Sequence, residues 1–395
     1  MLHGVSPLAA VPPDRRRTAG ATVGRVERGD GADGADGSGV SDGRPRTVRA
    51  HVLTGPGGGG VQRVPAPVAG PGEVVVEVER VGVCGTDREF ATGEMTYLRS
   101  GHASYPVRLG HEWCGTVVEV GAGVDPAWRG RRATGDTMLG CGACRRCLRG
   151  RQHLCEDRQE VGIRGGRHGA LAERLAVPAS SLHALPDAVD AALGALVEPG
   201  GNALRAARAS AAGPGDRVLV VGPGTIGLLT ALFLRAAGAE VHLLGVTEAS
   251  LAFARTLGLQ RSWTERTLPE ETFDAVVDCA TGAGTPARAL ELLEPGGRLV
   301  CIGISAAPST VDTRHLVLGD VTAVGVLSAS PVLADVVAAY ARGDVDPRPL
   351  VAAVVGLDEV AAVLTGQRLP GAGAGPKVQV DPRRGSDRRD TGGLQ

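Results

Sequence analysis

Asp216-Arg-Val-Leu-Val-Val-Gly-Pro-Gly-Thr-Ile-Gly227 decides the fold of one half of this chain. A short, fully apolar strand runs directly into three glycines spaced Gly-x-Gly-x-x-Gly, and an apolar helix follows. In this setting the first glycine makes a tight turn, the second lets the backbone approach a pyrophosphate, and the third lets helix and strand pack closely. Because strand, loop and helix occur together, the stretch predicts a dinucleotide-binding site rather than a plain glycine turn.

The sequence around this loop repeats the alternation of strands and helices. Further apolar strands are predicted over residues 240–244, 273–279 and 298–302, the last after a turn at Gly296 and Gly297. Helices are predicted over residues 189–211, 228–237, 250–257 and 331–342. Because strands that alternate with helices form a parallel sheet covered on both faces, the predicted fold class is α/β with a doubly wound Rossmann sheet.

The residue that usually selects the coenzyme is missing from this half. An Asp at the end of the second strand would bind the ribose 2′-hydroxyl and repel a 2′-phosphate, but Gly245 stands at that place. Thr247 is the nearby hydroxyl, no arginine follows immediately, and Glu248 is an alternative partner for the ribose. The sequence therefore leaves both NADP and NAD open, with a slight preference for NADP.

A second signature is the run from Cys141 to Cys155, with Cys144 and Cys147 between them at spacings of two, two and seven residues. Four thiolates complete a tetrahedral zinc site with no open position, so a structural zinc is predicted here. Four free thiols or two disulfides are the alternative. Paired Cys-x-x-Cys steps in a chain without a secretion signal favour zinc and a reducing cytoplasm.

The residues before the Rossmann half have the pattern of a β domain. Short strands are predicted over residues 48–53, 73–79 and 115–120, with a glycine turn at 57–60, and a final strand over 377–380 is expected to return to this region. Charge and valine alternate through residues 73–79, which is the period of a half-buried strand. An all-β region is therefore predicted.

Three polar residues near strand ends suit a second, catalytic zinc. Cys84 and His111 supply a thiolate and an imidazole, and a catalytic zinc needs a third protein ligand and an open position. Glu198, where the two regions meet, is the best candidate for that third ligand. Taken singly, a buried thiol, a turn histidine and a helix-capping glutamate are the simpler interpretations. Only their conjunction indicates a catalytic metal.

The composition argues against several other functions. The chain has 395 residues, a net charge of −1 and 43% hydrophobic residues. These values suit two cores and argue against nucleic-acid or anionic-membrane partners. No apolar run approaches the ~20 residues of a membrane helix. Residues 1–46 and 383–395 cannot bury enough apolar surface to fold, so they are predicted to be disordered tails.

Together these motifs resemble the zinc-containing medium-chain dehydrogenases, the alcohol and polyol dehydrogenase superfamily. The resemblance covers residues 47–382 and rests on Gly82-Val-Cys-Gly-Thr-Asp87, Gly110-His-Glu112, the four-cysteine run, Glu198-Pro199, the glycine loop, Glu294-Pro-Gly-Gly297 and Gly303. It implies a GroES-like β-barrel catalytic domain over residues 47–199 and 329–382 and a Rossmann NAD(P)-binding domain over 200–328. The cleft between them would hold zinc, coenzyme and substrate.

The resemblance also implies roles for individual residues. The catalytic zinc ligands would be Cys84, His111 and either Glu198 or Glu112. Thr86 would hydrogen-bond the substrate oxygen and pass its proton outward, and Asp87 would orient His111. Zinc would act as a Lewis acid while a hydride moves to the nicotinamide. The predicted coenzyme-binding residues are Gly222, Gly224, Thr225, Ile226, Gly227, Gly245, Thr247, Thr281, Ile302 and Gly303.

Within the superfamily, the chain looks most similar to prokaryotic glucose 1-dehydrogenases. The similarity rests on Cys84-Gly-Thr-Asp-Arg-Glu89 and Glu160-Val-Gly-Ile163, and it implies that Glu160 holds sugar hydroxyls. The predicted function is zinc-dependent, NAD(P)-linked oxidation of a secondary alcohol or hemiacetal carbon on a polyhydroxylated small molecule such as a sugar, polyol or cyclitol.

Two other functions remain open at this point. One is an NADPH-dependent reductase of a carbonyl or an activated double bond, and the other is a zinc-binding protein without catalysis. Two zinc ions per chain, one catalytic and one structural, are expected in a cytoplasmic homodimer or homotetramer.

Overall fold

The computed structural model describes residues 46–367 and 369–385. The predicted N-terminal tail lies outside the described residues except for Arg46, and the predicted C-terminal tail does so beyond Gly385.

Seventeen strands occur in the described residues. They are β1 (Thr47–Gly55), β2 (Gly58–Pro65), β3 (Glu73–Gly82), β4 (Glu112–Val120), β5 (Arg132–Gly135), β6 (Met138–Leu139), β7 (Gln159–Glu160), β8 (Arg174–Pro178), β9 (Leu182–Ala184), β10 (Arg217–Val221), β11 (Glu240–Leu244), β12 (Ser262–Trp263), β13 (Phe273–Asp278), β14 (Leu293–Cys301), β15 (Thr322–Gly325), β16 (Val351–Val355) and β17 (Lys377–Val380).

The α-helices of the described residues number ten. They are α1 (Gly85–Thr92), α2 (Thr96–Arg99), α3 (Ala191–Gly194), α4 (Val197–Ala209), α5 (Thr225–Ala236), α6 (Glu248–Thr256), α7 (Thr285–Glu291), α8 (Thr313–Leu318), α9 (Leu333–Arg342) and α10 (Val360–Leu364).

A seven-stranded sheet organises the N-terminal region, with the order β16-β17-β3-β4-β5-β9 and with β8 paired to β3. The late strand β17 pairs antiparallel with β3 through Gln379 opposite Gly82 and Val380 opposite Val81. The chain therefore returns to its first region, as the sequence predicted. The hairpin of β1 and β2 and the short pair of β6 and β7 surround this sheet.

Strand β3 is buried more completely than its alternating sequence indicated. The valines at 74–76 are all fully buried, and Glu79 is only 8% exposed. Glu79 tolerates burial because its carboxylate accepts a hydrogen bond from Arg132 Nε at 3.0 Å and pairs with that guanidinium. The expectation of a half-buried strand is wrong, because this central strand is covered on both faces.

The second sheet has six strands in the order β12-β11-β10-β13-β14-β15, and every neighbouring pair is parallel. Its central strands are apolar on both faces. Val218, Val220, Leu243 and Val277 are fully buried, and they share one core with Leu228 of helix α5. Parallel strands that are buried on both faces have continuous apolar sequences, as these strands do. The predicted doubly wound α/β fold is therefore confirmed.

The helix predicted over residues 189–211 is two helices in the structure, α3 and α4. Pro199 lies in the first turn of α4 and has no N–H to donate to the carbonyl of Ala195, so one continuous helix cannot pass through this point. Asp190 starts α3 by accepting a hydrogen bond from the Leu193 N–H at 2.9 Å.

Three further expectations differ from the structure. The region predicted to be all β contains α1 and α2. Gly296 and Gly297 lie inside β14 and not in a turn before it. The pairing of β14 with β13 is irregular between Phe273 and Ala275. The predicted turn at 57–60 is shorter, because β2 already begins at Gly58. No helix in the described residues combines the length and apolarity needed to cross a membrane.

The glycine loop offers a test of the fold. A Cβ added at Gly227 would lie 1.9 Å from the carbonyl oxygen of Gly222, whereas one added at Gly224 meets no atom within 4 Å. We expect Gly227→Ala to lower the free energy of unfolding by about 1–3 kcal/mol, because the loop must move to relieve the overlap. Gly224→Ala is the matched control and should leave the denaturant midpoint of the unliganded protein unchanged. Equal midpoints for both variants would contradict this packing.

Candidate active site

Cys84 is presented at the junction between a strand and a helix. It follows the end of β3 and directly precedes helix α1. Its backbone N–H donates to Asp87 Oδ2 at 2.9 Å. Asp87 is fully buried, and its other oxygen, Oδ1, accepts from the Gly110 N–H at 3.3 Å. Asp87 thus ties the segment that carries Cys84 to the segment that carries His111.

The buried imidazole of His111 lies beside this carboxylate. Its Nδ1 is 3.7 Å from Asp87 Oδ1, and Nδ1 has no hydrogen-bond partner among the described residues. Burial lowers the pKa of His111, but the charges of Asp87 and Cys84 outweigh burial and hold that pKa well above its usual value. The ring therefore lies in a strongly negative environment that favours a bound cation.

Glu112 starts strand β4 and is held in a buried ion pair. Lys377 Nζ donates to Glu112 Oε1 at 2.8 Å and to Oε2 at 2.7 Å, and it also donates to the carbonyl of Val83 at 3.1 Å. The two side chains are 1% and 3% exposed. All three N–H bonds of the ammonium are thus directed at oxygen atoms, which is what a buried charge requires.

Glu198 lies in the first turn of α4 and is also buried. Burial raises the pKa of its carboxyl to about 7, against the opposing effect of His111. Its one hydrogen-bonding side-chain partner is the amide of Asn202, whose Nδ2 donates to Oε1 at 3.0 Å. Unlike Glu112, it has no basic residue in ion-pair contact among the described residues.

These residues fit a zinc ion. Ligand atoms of Cys84, His111 and Glu112 all lie within 4.8 Å of one another, and two of the three residues are buried. Thiolate, imidazole and carboxylate are the donors that zinc takes in proteins. Glu198 does not belong to this group of three, but its charge acts on His111. Thr86 lies two residues after Cys84 in the first turn of α1 and is half-buried.

The four-cysteine run forms a second donor cluster. The Sγ atoms of Cys141 and Cys147 are 4.0 Å apart, and those of Cys144 and Cys155 are 3.8 Å apart. All eight cysteines of the chain are free thiols. Four sulfurs at about 2.3 Å from a tetrahedral zinc would lie about 3.8 Å from one another. The separations therefore fit a closed zinc site, and backbone N–H groups already lower the pKa of Cys141 to about 7.

Two hydrogen bonds link the segment that carries Glu160 to the backbone of His111. The N–H of Val161, the neighbour of Glu160, donates to the carbonyl of Thr137, and the Thr137 hydroxyl donates to the carbonyl of His111. Glu160 is 2% exposed, and its Oε1 accepts from Arg158 Nε at 2.8 Å.

Tyr97 completes this polar cluster. Its hydroxyl donates to Glu160 Oε1 at 3.0 Å and accepts from Arg158 Nη2 at 3.0 Å. Arg158 Nη1 also donates to the carbonyl of Cys155 at 3.2 Å, so the cluster is joined to the four-cysteine run.

The predicted coenzyme residues gather at the carboxyl edge of the parallel sheet. Gly222 follows β10 with a φ of 98°, Gly245 follows β11, and Ile302 and Gly303 follow β14. A Cβ on Gly303 would lie 1.8 Å from the carbonyl of Ala280. The strand order reverses direction at β10, and dinucleotides bind in the crevice at such a point. A cavity of about 370 Å³ opens there.

The structure thus gathers the predicted residues into four places: the donors around His111, the four cysteines, the carboxyl edge of the Rossmann sheet, and the polar cluster of Glu160. Sequence reasoning missed the partners of these residues. It identified no role for Lys377 or Arg158. The one available signal was that Lys377 is the only lysine in a chain with 42 basic residues.

Comparison with known proteins agrees with this geometry. Residues 70–187 match the alcohol dehydrogenase GroES-like domain, and residues 225–342 match the zinc-binding dehydrogenase family. L-threonine 3-dehydrogenase of Streptomyces avermitilis is 34% identical over 276 residues, which cover 67% of this chain and 79% of that protein. The enzyme of the same name from Streptomyces coelicolor is 35% identical over 279 residues, with the same coverage.

Solved structures give the same picture. A zinc-binding dehydrogenase from Sinorhizobium meliloti 1021, bound to NADP, has a TM-score of 0.78 and 29% identity and covers 85% of this chain and 100% of that one. The alcohol dehydrogenase TADH from Thermus sp. ATN1 has a TM-score of 0.76 and 27% identity, with coverages of 84% and 99%. The predicted GroES-like and Rossmann architecture is confirmed, whereas the special likeness to glucose dehydrogenases stays a prediction.

With two donor clusters suited to zinc, a glycine loop at the reversal point of a parallel sheet and family matches over both regions, this chain belongs to the zinc-dependent medium-chain dehydrogenases and is an oxidoreductase.

Proposed function

We propose that the protein catalyses zinc-dependent, NAD(P)-linked oxidation of a secondary alcohol or hemiacetal carbon on a small polyhydroxylated molecule. The observation that carries the proposal is the meeting of a Cys84 sulfur, a His111 nitrogen and a Glu112 oxygen within 4.8 Å. When bound, zinc supplies a Lewis acid at the substrate oxygen, and the nicotinamide accepts the hydride.

Residues of the chain would position the zinc ligands, the substrate and the coenzyme. Asp87 Oδ2 fixes the Cys84 backbone, and the charge on Oδ1 lies 3.7 Å from Nδ1 of the His111 ring. Thr86 supplies a hydroxyl that would bond to the substrate alcohol and relay its proton outward, releasing its own proton as it takes up that of the substrate. The glycine loop and the strand ends around Ile302 would hold the coenzyme next to the zinc site. Hydride transfer would then take place between two bound molecules that are already oriented.

Glu198 is the third protein ligand that we favour, although Glu112 lies in the tighter cluster. Both oxygens of Glu112 are already bonded to Lys377, so its charge is compensated. Glu198 is buried with a pKa raised to about 7 and has only an amide partner. A cation bound to Glu198 would offset the free-energy cost of burying its negative charge. Zinc binding would therefore stabilise the charged form of Glu198 more than that of Glu112.

The polar cluster around Glu160 supports a substrate with several hydroxyl groups. Arg158 and Tyr97 fix the carboxylate of Glu160 through Oε1, and its second oxygen, Oε2, is the atom that would accept a hydrogen bond from a substrate hydroxyl. L-Threonine is a second candidate, because the two Streptomyces proteins named L-threonine 3-dehydrogenase are 34% and 35% identical to this chain. It also presents a secondary alcohol beside charged groups.

We further propose that the enzyme works in the cytoplasm as a homodimer or homotetramer. Eight free thiols, four of them gathered in one cluster, suit a reducing compartment. Size-exclusion chromatography with light scattering would give the oligomeric state directly.

Zinc counting tests the two donor clusters. The purified protein should hold two zinc ions per chain, and Cys84→Ala should hold one and lose dehydrogenase turnover while keeping its fold. Cys114→Ala is the matched control, because Cys114 is a buried thiol outside both clusters. That variant should keep both ions. Full turnover with two ions in Cys84→Ala would falsify the catalytic site.

The buried ion pair gives a second test, made on metal-free protein. Lys377→Met leaves the Glu112 carboxylate buried without a cation and should lower the free energy of unfolding by about 3–5 kcal/mol. The double variant Lys377→Met/Glu112→Gln should recover most of this loss in a denaturant titration. If single and double variants unfold at the same denaturant concentration, the pair does not stabilise the fold.

The choice of third ligand has its own measurement. Chelator competition should show weaker binding of the catalytic zinc for Glu198→Gln, by about tenfold or more, because a charged ligand is replaced by a neutral amide. Glu112→Gln should change zinc affinity less. The reverse order of the two affinities would assign the ligand to Glu112 instead.

Substrate class is tested by nicotinamide absorbance with glucose, galactose, polyols, simple secondary alcohols and L-threonine, each with NAD and NADP. We expect turnover of a polyhydroxylated compound, and Glu160→Gln should raise KM about tenfold while changing kcat less, since a substrate hydrogen bond is lost. Tyr97→Phe is the comparison variant, because it removes a Glu160 partner and keeps the carboxylate. Turnover of L-threonine alone would replace the polyhydroxylated substrate with an amino acid.

A further inference from the structure

The cavity at the carboxyl edge of the Rossmann sheet is lined by two arginines and one glutamate. It has a volume of about 370 Å³, and its lining includes Gly222, Gly245, Val246, Glu265, Arg266 and Arg288. We propose that this cavity binds the 2′-phosphorylated adenosine of NADP(H), with Arg266 pairing with the phosphate. The inference rests on the proposed function, which leaves the coenzyme open, and it names the residue that makes the choice.

The end of β11 carries no acid and has little room for a side chain. A Cβ added at Gly245 would lie 2.8 Å from Pro223 Cγ and 2.8 Å from Leu251 Cδ2. Leu251 is fully buried, and Pro223 is a rigid ring inside the glycine loop. The packing of the loop therefore disfavours the carboxylate that would repel a 2′-phosphate.

Both the carboxylate in the cavity lining, Glu265, and the nearby Glu248 already form ion pairs. Glu248, which follows Gly245 by three residues, forms an ion pair with Arg255. Glu265 forms one with Arg288 at 2.7 Å. An arginine thus offsets the charge of each carboxylate through one oxygen, Oε1. Both are exposed, so this pairing offsets their repulsion of an anion only in part.

Arg266 offers the cavity a positive charge that is unpaired among the described residues. Its side chain lines the cavity and is exposed, and within the part of the chain that the structure describes it forms no hydrogen bond or ion pair. The planar guanidinium offers two parallel N–H groups, which match the oxygens of a phosphate. The cavity thus has one uncommitted cation and no uncommitted carboxylate in its lining.

The test uses two nucleotides that lack the nicotinamide, 2′,5′-ADP and 5′-AMP, titrated by calorimetry into the full-length zinc-loaded protein. These probes differ only in the 2′-phosphate, and their binding does not require turnover. We expect 2′,5′-ADP to bind about tenfold more tightly than 5′-AMP, as one charge-assisted pair with phosphate would provide. Arg266→Gln should bring the two affinities within about twofold, and Arg266→Lys should restore part of the preference.

Arg261→Gln is the matched control. It removes the same charge five residues earlier, from an exposed arginine that pairs with Glu240 and does not line the cavity. It should keep the tenfold preference. Equal binding of the two nucleotides to the unaltered protein, or a preference that survives Arg266→Gln, overturns the assignment while leaving the dehydrogenase proposal standing. Failure of both nucleotides to bind overturns the assignment and the proposed coenzyme site together.

Discussion

The ion pair between Lys377 and Glu112 is the interaction on which the active-site region depends. It joins β17 to the beginning of β4, and the third bond of the ammonium reaches the Val83 carbonyl beside Cys84. A compact ammonium suits this place better than the planar guanidinium that the chain uses at every other basic position. Because the pair is buried, either charge alone would be costly, so both segments are held together.

The same constraint separates the roles of the two buried glutamates. The charge of Glu112 is offset by Lys377, whereas Glu198 has a raised pKa and its charge acts on His111. In the proposed site, Glu112 therefore stabilises the fold and Glu198 binds the cation. Arg158 similarly holds distant segments together, because it joins Glu160 and Tyr97 to the carbonyl of Cys155.

Much of the fold could be predicted because its signals are local. The apolar run before Gly222 and the spacing of the cysteines each follow from requirements within a few residues. The sequence-based predictions were wrong where the burial of a segment depends on segments that are distant in the chain. Strand β3 was expected to be half-buried, but its covering comes from strands and helices far away in sequence. The break before α4 was local, and the lack of an N–H on Pro199 explains it.

The sequence by itself determined which chemical groups this protein has: two sets of zinc donors, a dinucleotide loop, and the absence of an acid at Gly245. Only the tertiary structure decided how these groups are used. It paired Glu112 with Lys377 across 265 positions of the chain and left Glu198 with an amide. It also closed the space at Gly245 with Pro223 and Leu251. The physical reason is that a charge or a cavity is defined by its neighbours in space, which the order of residues does not specify.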